Sequence, residues 1–253
     1  MRDLLLGALG ELRYEPIERR VRGDDLVDST QALLVWEPRR VVPSYAVPEG
    51  DILVPLTAGE AIPAPAGMLH PGVPFAAHTA PGEPVSIAGR GGFRLQELRG
   101  YVALDFAAFS WLEEDEPVRG HPRDPFSRID VRRTARRVRI ELGGEVLAET
   151  EDARLLFETG IHTRFYVPKR DVRGELVASD RRSYCPYKGE ASYWSLGGHA
   201  DIAWSYEQPL EDGPPIQGLV AFWDERVDVF LDGVPRPRPG GAIADTMHDE
   251  FGV

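Results

Sequence analysis

With 253 residues, the chain has the length of one large domain or two ordinary ones. Its net charge of −12 argues against a general binder of nucleic acid or of anionic membrane. Glycine (26) and proline (22) are too frequent for a helical bundle, so short elements joined by many turns are expected. The single cysteine excludes an intrachain disulfide and a cysteine-rich zinc site, and the six histidines show no metal-ligand spacing, so neither metal nor cofactor is expected.

From the start of the chain, Leu5, Leu9 and Leu12 recur at helical spacing and predict a short amphipathic helix. Glycines and Glu11 interrupt the first apolar run too early for a signal peptide. No stretch approaches the roughly 20 apolar residues of a membrane helix. A cytoplasmic protein without membrane contact is the expectation.

Internal similarity follows in chain order. "DLVDSTQALLVWEP" (25–38) resembles "EVLAETEDARLLFET" (145–159), which places Trp36 on Phe157 and Glu37 on Glu158. "SYAVPEGDI" (44–52) matches "FYVPKRDV" (165–172) with one residue inserted, pairing Tyr45 with Tyr166 and Asp51 with Asp171. "HPGVPFAAHTA" (70–80) lies without gaps over "CPYKGEASYWS" (185–195), and "RGYVALDFAAF" (99–109) echoes "QGLVAFWDERV" (217–227). Four matches in one order predict a tandem duplication. A first domain then covers 1–112 and a charged, proline-rich linker 113–130. A second domain covers 131–234 and a flexible tail 235–253.

Within each half the pattern is β. "RVRIELGG" and "EVLAET" read as a hairpin, "LLFET" as a strand covered on both faces, and "ASYWSL", "DIAWSY" and "LVAFW" as further short strands. "VPKRDV" fits one helical turn beginning at Pro168.

"LLFETGIHTRFYVPKRDV", "YCPYKGEASYWS" and "PIQGLVAFWDERVDVFLDG" resemble the bacterial family 427 of domains of unknown function, in its tandem form. The resemblance implies a β-tent, the folded-over antiparallel architecture of methionine sulfoxide reductase B, Yippee proteins and the cereblon ligand domain. It implies no established activity. Many β-tents hold zinc with two Cys-x-x-Cys pairs; this chain has none, so apolar packing is expected in place of the metal. The fold class is accordingly mainly β, two tandem β-tent-like domains with few short helices and no structural zinc.

The candidate site lies in the second half. Cys185 lacks a second thiol or a neighbouring base, and reads more readily as a lining atom than a nucleophile. Tyr184 and Lys188 have the spacing of a dehydrogenase pair, but Pro186 excludes the helix that spacing needs. Alternation puts Tyr193 and Trp194 on opposite faces of one strand, and Ile202, Trp204 and Tyr206 on one face of the next. Glu158 ends a buried strand and needs a partner, with Arg164 or a tyrosine as the candidates. The predicted ligand-lining set is Glu158, Arg164, Tyr166, Cys185, Lys188, Tyr193, Trp194, Trp204 and Tyr206, around an unknown small molecule. Two alternatives stand beside this binding module: an enzyme using Cys185, or Glu158 with Lys188, and an interaction scaffold.

Overall fold

The computed structural model describes residues 9–252 and divides into two compact units between Asp124 and Pro125. The expected amino-terminal helix lies largely outside the described residues. Both units are mainly β and almost wholly antiparallel, each built from a seven-stranded and a four-stranded sheet.

In the first unit the large sheet runs, edge to edge, through Arg13–Pro16, Leu33–Trp36, Ser44–Pro48, Tyr101–Leu104, Arg90–Leu95, Gly82–Ile87 and Leu56–Ala58. In the second it runs through Ile129–Thr134, Ala153–Glu158, Arg164–Val167, Val220–Phe222, His199–Ser205, Gly189–Leu196 and Val177–Cys185. Taken in chain order, the strands occupy the same places in both. The small sheets agree as well. Glu116–Val118, Trp111–Glu113, Val21–Gly23 and Val27–Ser29 correspond to Val234–Pro235, Asp228–Leu231, Val138–Leu142 and Glu145–Thr150. The first unit adds a short parallel pair, Ile62–Pro63 with Ala77–His78.

The core of each unit fills the space between its two sheets. In the second, Phe165, Val167, Ile202 and Phe222 of the large sheet meet Val138, Ile140, Leu147 and Leu231 of the small one. In the first, Tyr45, Val47, Leu34 and Leu104 meet Val21, Val27 and Trp111. The alternate residues of the large sheet face outward into a second cluster, which is aliphatic but for Phe93 in the first unit and mainly aromatic in the second.

Strand register tests the repeat residue by residue. Ala46 pairs with Ala103 and Val47 with Val102, as Tyr166 pairs with Ala221 and Val167 with Val220. Tyr45 therefore corresponds to Phe165, and Tyr166 to Ala46. The expected Tyr45–Tyr166 match is off by one, because the strand needs no insertion before Pro48 and Pro168. Glu37 and Glu158 do correspond, each three residues beyond the pairs Leu34–Tyr45 and Leu155–Phe165. The match of 70–80 to 185–195 fails. The counterpart of Gly189–Leu196 is Gly82–Ile87, and Pro84 opposite Phe93 stands where Tyr193 stands opposite Trp204.

One polar device recurs. Ser29 Oγ donates to Asp51 at 2.6 Å and accepts the Gln31 N–H, while Thr150 Oγ1 donates to Asp171 at 2.7 Å and accepts the Asp152 N–H. Each ties a small-sheet strand to the one-turn helix that follows the central strand, Glu49–Asp51 or Lys169–Asp171. Replacing Thr150 with valine is expected to destabilise the protein by about 0.5–1.5 kcal/mol, the net worth of hydrogen bonds whose partners Asp171 and Asp152 are only partly buried. Urea denaturation checks this.

Two segments differ from expectation. Residues 113–130 hold the strand Glu116–Val118, paired with Trp111–Glu113, and the first residues of Ile129–Thr134, because backbone pairing tolerates the charged and proline residues at a sheet edge. In the tail, Ala242–Phe251 is helical, started after Gly241 (φ 88°) and closed by the left-handed Gly252, whose N–H caps the His248 carbonyl.

Candidate functional site

Glu158 and Lys188 meet on the outer face of the second unit's large sheet. The hairpin Val177–Cys185 and Gly189–Leu196 brings them together: Pro186 ends the first strand, and Gly189, at φ 92°, opens the second. Ser183, Tyr184 and Cys185 are thus the end of a strand. Lys188, at the turn, is buried and reaches back across the sheet to Glu158 in an ion pair whose side chains are 9% and 8% exposed. Burial opposes the ammonium charge, but Glu158 outweighs it and raises the lysine pKa. Lys188 is therefore a fixed cation.

Around this pair lie Tyr166, Tyr206, Trp204, Tyr193, Trp223 and Leu156, with Cys185 partly buried beside them. Tyr166 Oη accepts the Trp204 indole N–H at 3.3 Å, and Tyr193 Oη lies 2.7 Å from Ser183 Oγ. Burial pushes the Tyr166 phenol up to about 12 and the Tyr206 phenol well above its ordinary value, so both stay protonated. Trp204 and Trp223 stand 4.4 Å apart at their ring centres.

A second charged group backs the tryptophans. Arg164 donates to both Glu225 oxygens at 2.8 Å, and its guanidinium lies 5.3 Å from the Trp204 ring and 5.5 Å from Trp223. His162 Nε2 is 3.5 Å from Glu225 and 3.8 Å from Asp224. Burial, together with Glu225, pushes the Asp224 carboxyl up to about 7 against the opposing pull of Arg164 and Arg236. Arg164 is thus not the partner of Glu158.

Eight of the nine predicted residues converge here. Trp194 does not: it faces the inter-sheet core, donates to Ser205 Oγ at 2.7 Å and carries Lys169 4.2 Å above its ring. Ile202 also points inward, away from Trp204, because a register irregularity between Trp194 and Leu196, opposite the left-handed Asp201 (φ 47°), breaks the alternation. Sequence reasoning left Arg181, Trp223, Glu225 and Phe251 out of the site. Trp223 and Glu225 stood in "AFWDE", where two aromatics beside two carboxylates were the available signal.

The first unit answers differently at the equivalent position. Glu37 takes His78 Nδ1 at 2.7 Å and the N–H groups of Thr79 and Ala80 at 2.7 and 3.0 Å; burial opposes its charge, but these partners lower its pKa. His78 stacks on Phe93, 4.2 Å between ring centres. Ala46 and Pro84 stand where the second unit has Tyr166 and Tyr193. An open groove of about 550 Å³ in this unit, lined by Arg94, Gln96, Arg99 and Tyr101 among others, is separate from Glu37.

Among the described residues, no group of three or more His, Cys, Asp or Glu side chains is arranged to hold a metal ion, and no helix is long and apolar enough to cross a membrane. No curated protein matches the chain. What does match is the stretch that carries the aromatic cluster: residues 130–233 fit the model of a family described as a domain of unknown function, DUF427.

Proposed function

We propose that the second unit is a small-molecule binding module whose ligand rests on the aromatic outer face of the large sheet, and that the first half is a divergent copy of the same domain within a cytoplasmic protein. The observation that carries the binding reading is the convergence of Tyr166, Tyr193, Trp204, Tyr206 and Trp223 with two buried ion pairs, Glu158–Lys188 and Arg164–Glu225. Apolar surface with a few fixed polar groups is the ordinary make-up of a ligand site. The shared strand order and the paired Ser29–Asp51 and Thr150–Asp171 bonds support the duplication.

Binding is favoured over a reaction because the reactive-looking groups are committed. Lys188 is a cation tied to Glu158, which leaves neither a free amine nucleophile nor a free carboxylate base. Replacing Cys185 with serine is expected to change ligand affinity by less than about 0.5 kcal/mol, as for a lining atom. Rapid alkylation of the thiol by iodoacetamide at neutral pH would instead favour the enzyme reading. Native mass spectrometry of protein taken directly from cells tests the proposal itself. A bound compound is expected, and a bare polypeptide mass that no compound in a broad thermal-shift panel perturbs would overturn it.

A further inference from the structure

We infer that the helix Ala242–Phe251 is a displaceable cover seated where the ligand of the second unit belongs, and that this ligand is a planar aromatic molecule carrying a carboxylate. This rests on the binding reading above. The Phe251 ring lies 5.1 Å from Trp223, tilted by 36°. Arg181 spans the same place: its guanidinium is 4.8 Å from the Tyr193 ring and 5.9 Å from Phe251, and its Nη2 donates to the Phe251 carbonyl at 3.0 Å. The sheet thus holds one aromatic ring against an indole and gives a guanidinium hydrogen bond to an oxygen beside that ring. A free aryl carboxylate offers the same two features in stronger form, since a carboxylate takes two charge-assisted bonds from a guanidinium where a peptide carbonyl takes one neutral acceptor's share. The Asp201 carboxylate lies 3.8 Å from Arg181, a longer contact than the 3.0 Å hydrogen bond to the Phe251 carbonyl.

The first unit shows what a permanent cover looks like. There residues 78–80 lie against the corresponding face, with His78 stacked on Phe93 and Ala80 in its apolar cluster, while Phe75 of the same segment enters the inter-sheet core. Glu37 accepts from His78, Thr79 and Ala80; the wholly buried Arg40 donates to the carbonyls of Val73, Pro74 and Ala77; and Thr79 Oγ1 donates to the Pro38 carbonyl. That segment is continuous with the sheet at both ends. The second unit's cover joins the sheet through the exposed run 236–238 and then Pro239, Gly240 and Gly241, and it lies beyond the family-matched residues 130–233. Gly241, at φ 88° and ψ 180°, holds a backbone conformation that residues with a Cβ disfavour.

The test uses the full chain, 1-naphthoate as probe and its neutral relative 1-naphthalenemethanol. Binding is followed by tryptophan fluorescence, and the cover by hydrogen exchange over 242–251, with circular dichroism checking the fold of each variant. Phe251→Ala is expected to bind 1-naphthoate about tenfold more tightly than the parent, because the competing ring is gone. Saturating 1-naphthoate is expected to speed exchange in the parent's helix. In the Phe251→Ala background, Arg181→Met is expected to weaken 1-naphthoate about tenfold and to leave 1-naphthalenemethanol unchanged. Trp223→Ala is expected to abolish both. Equal affinity in parent and Phe251→Ala with unaltered exchange, while Trp223→Ala still abolishes binding, overturns the cover and leaves the site standing. Equal losses for both probes on Arg181→Met overturn the carboxylate. Failure of Phe251→Ala to bind 1-naphthoate, or binding indifferent to Trp223→Ala, overturns the site reading and the cover with it.

Discussion

Replacing Lys188 with methionine is expected to destabilise the protein by about 3–5 kcal/mol, the cost of removing one member of a buried ion pair. The Glu158 side chain, 8% exposed, would then keep its position under Lys188 without the cation that compensates its charge. The same physics predicts that adding Glu158→Gln to Lys188→Met recovers most of the loss, because a neutral amide beside a methionine leaves no buried charge. Urea denaturation of the parent, the two single variants and the double variant measures the coupling directly. A Lys188→Met loss below about 1 kcal/mol, or additive losses in the double variant, would show that the pair is solvated and that the outer face is not the dry surface a ligand site requires.

Why the sequence joins Lys188 to Glu158 only in the enzyme alternative, and points to Arg164 or a tyrosine as the structural partner, is a question of sheet geometry. The two are thirty residues apart, and the strands that carry them are not neighbours: Arg164–Val167, Val220–Phe222 and His199–Ser205 lie between. Propensity and alternation identify a strand and its faces, but they carry no information on which strand lies four places away. Arg164 was the nearer choice in sequence and was already committed to Glu225. The aromatic cluster was legible for the opposite reason. Tyr193 and Trp204 face each other across paired strands and Tyr206 follows Trp204 by two positions, so period two places them on one face, and that rule fails at Ile202, beside the register irregularity. The comparison of the two halves shows the same division. Glu37 and Glu158 hold the same phase relative to the strand pairs Leu34–Tyr45 and Leu155–Phe165, as their sequence match has them. The segment 70–80 is an insertion with its own structure, and a gapless alignment across it had no physical register to follow. The helix Ala242–Phe251 was hidden behind "PRPRPGG", whose breakers describe the tether and not the helix beyond it.

Unfolding free energy is expected to fall as pH rises from about 4 to 8, and Asp224→Asn is expected to remove much of that slope. Asp224 is buried at the edge of the aromatic cluster, and burial, reinforced by Glu225, pushes its carboxyl up to about 7 although Arg164 and Arg236 pull the other way. Its ordinary value is 3.8, so the folded protein keeps a proton that the unfolded chain has released between those limits. The contribution is therefore fully present below the unfolded value and is lost as pH rises through about 7. A shift of roughly three units corresponds to something on the order of 4 kcal/mol. Glu250, also pushed up to about 7 by burial, acts in the same sense on the docking of its helix. His162, 3.8 Å from Asp224, gains a stronger attraction to the carboxylate when it carries its own proton. Asparagine keeps the size of Asp224 and abolishes its charge. The variant should match the parent near pH 4, pull ahead of it as pH rises and exceed it in stability most at pH 8, with a flatter profile between, as read from urea midpoints across that range. Parallel profiles for parent and variant would mean that Asp224 ionises freely in the folded protein, and that the Arg164–Glu225 pair stands in a wetter environment than its side-chain exposures of 6% and 7% describe.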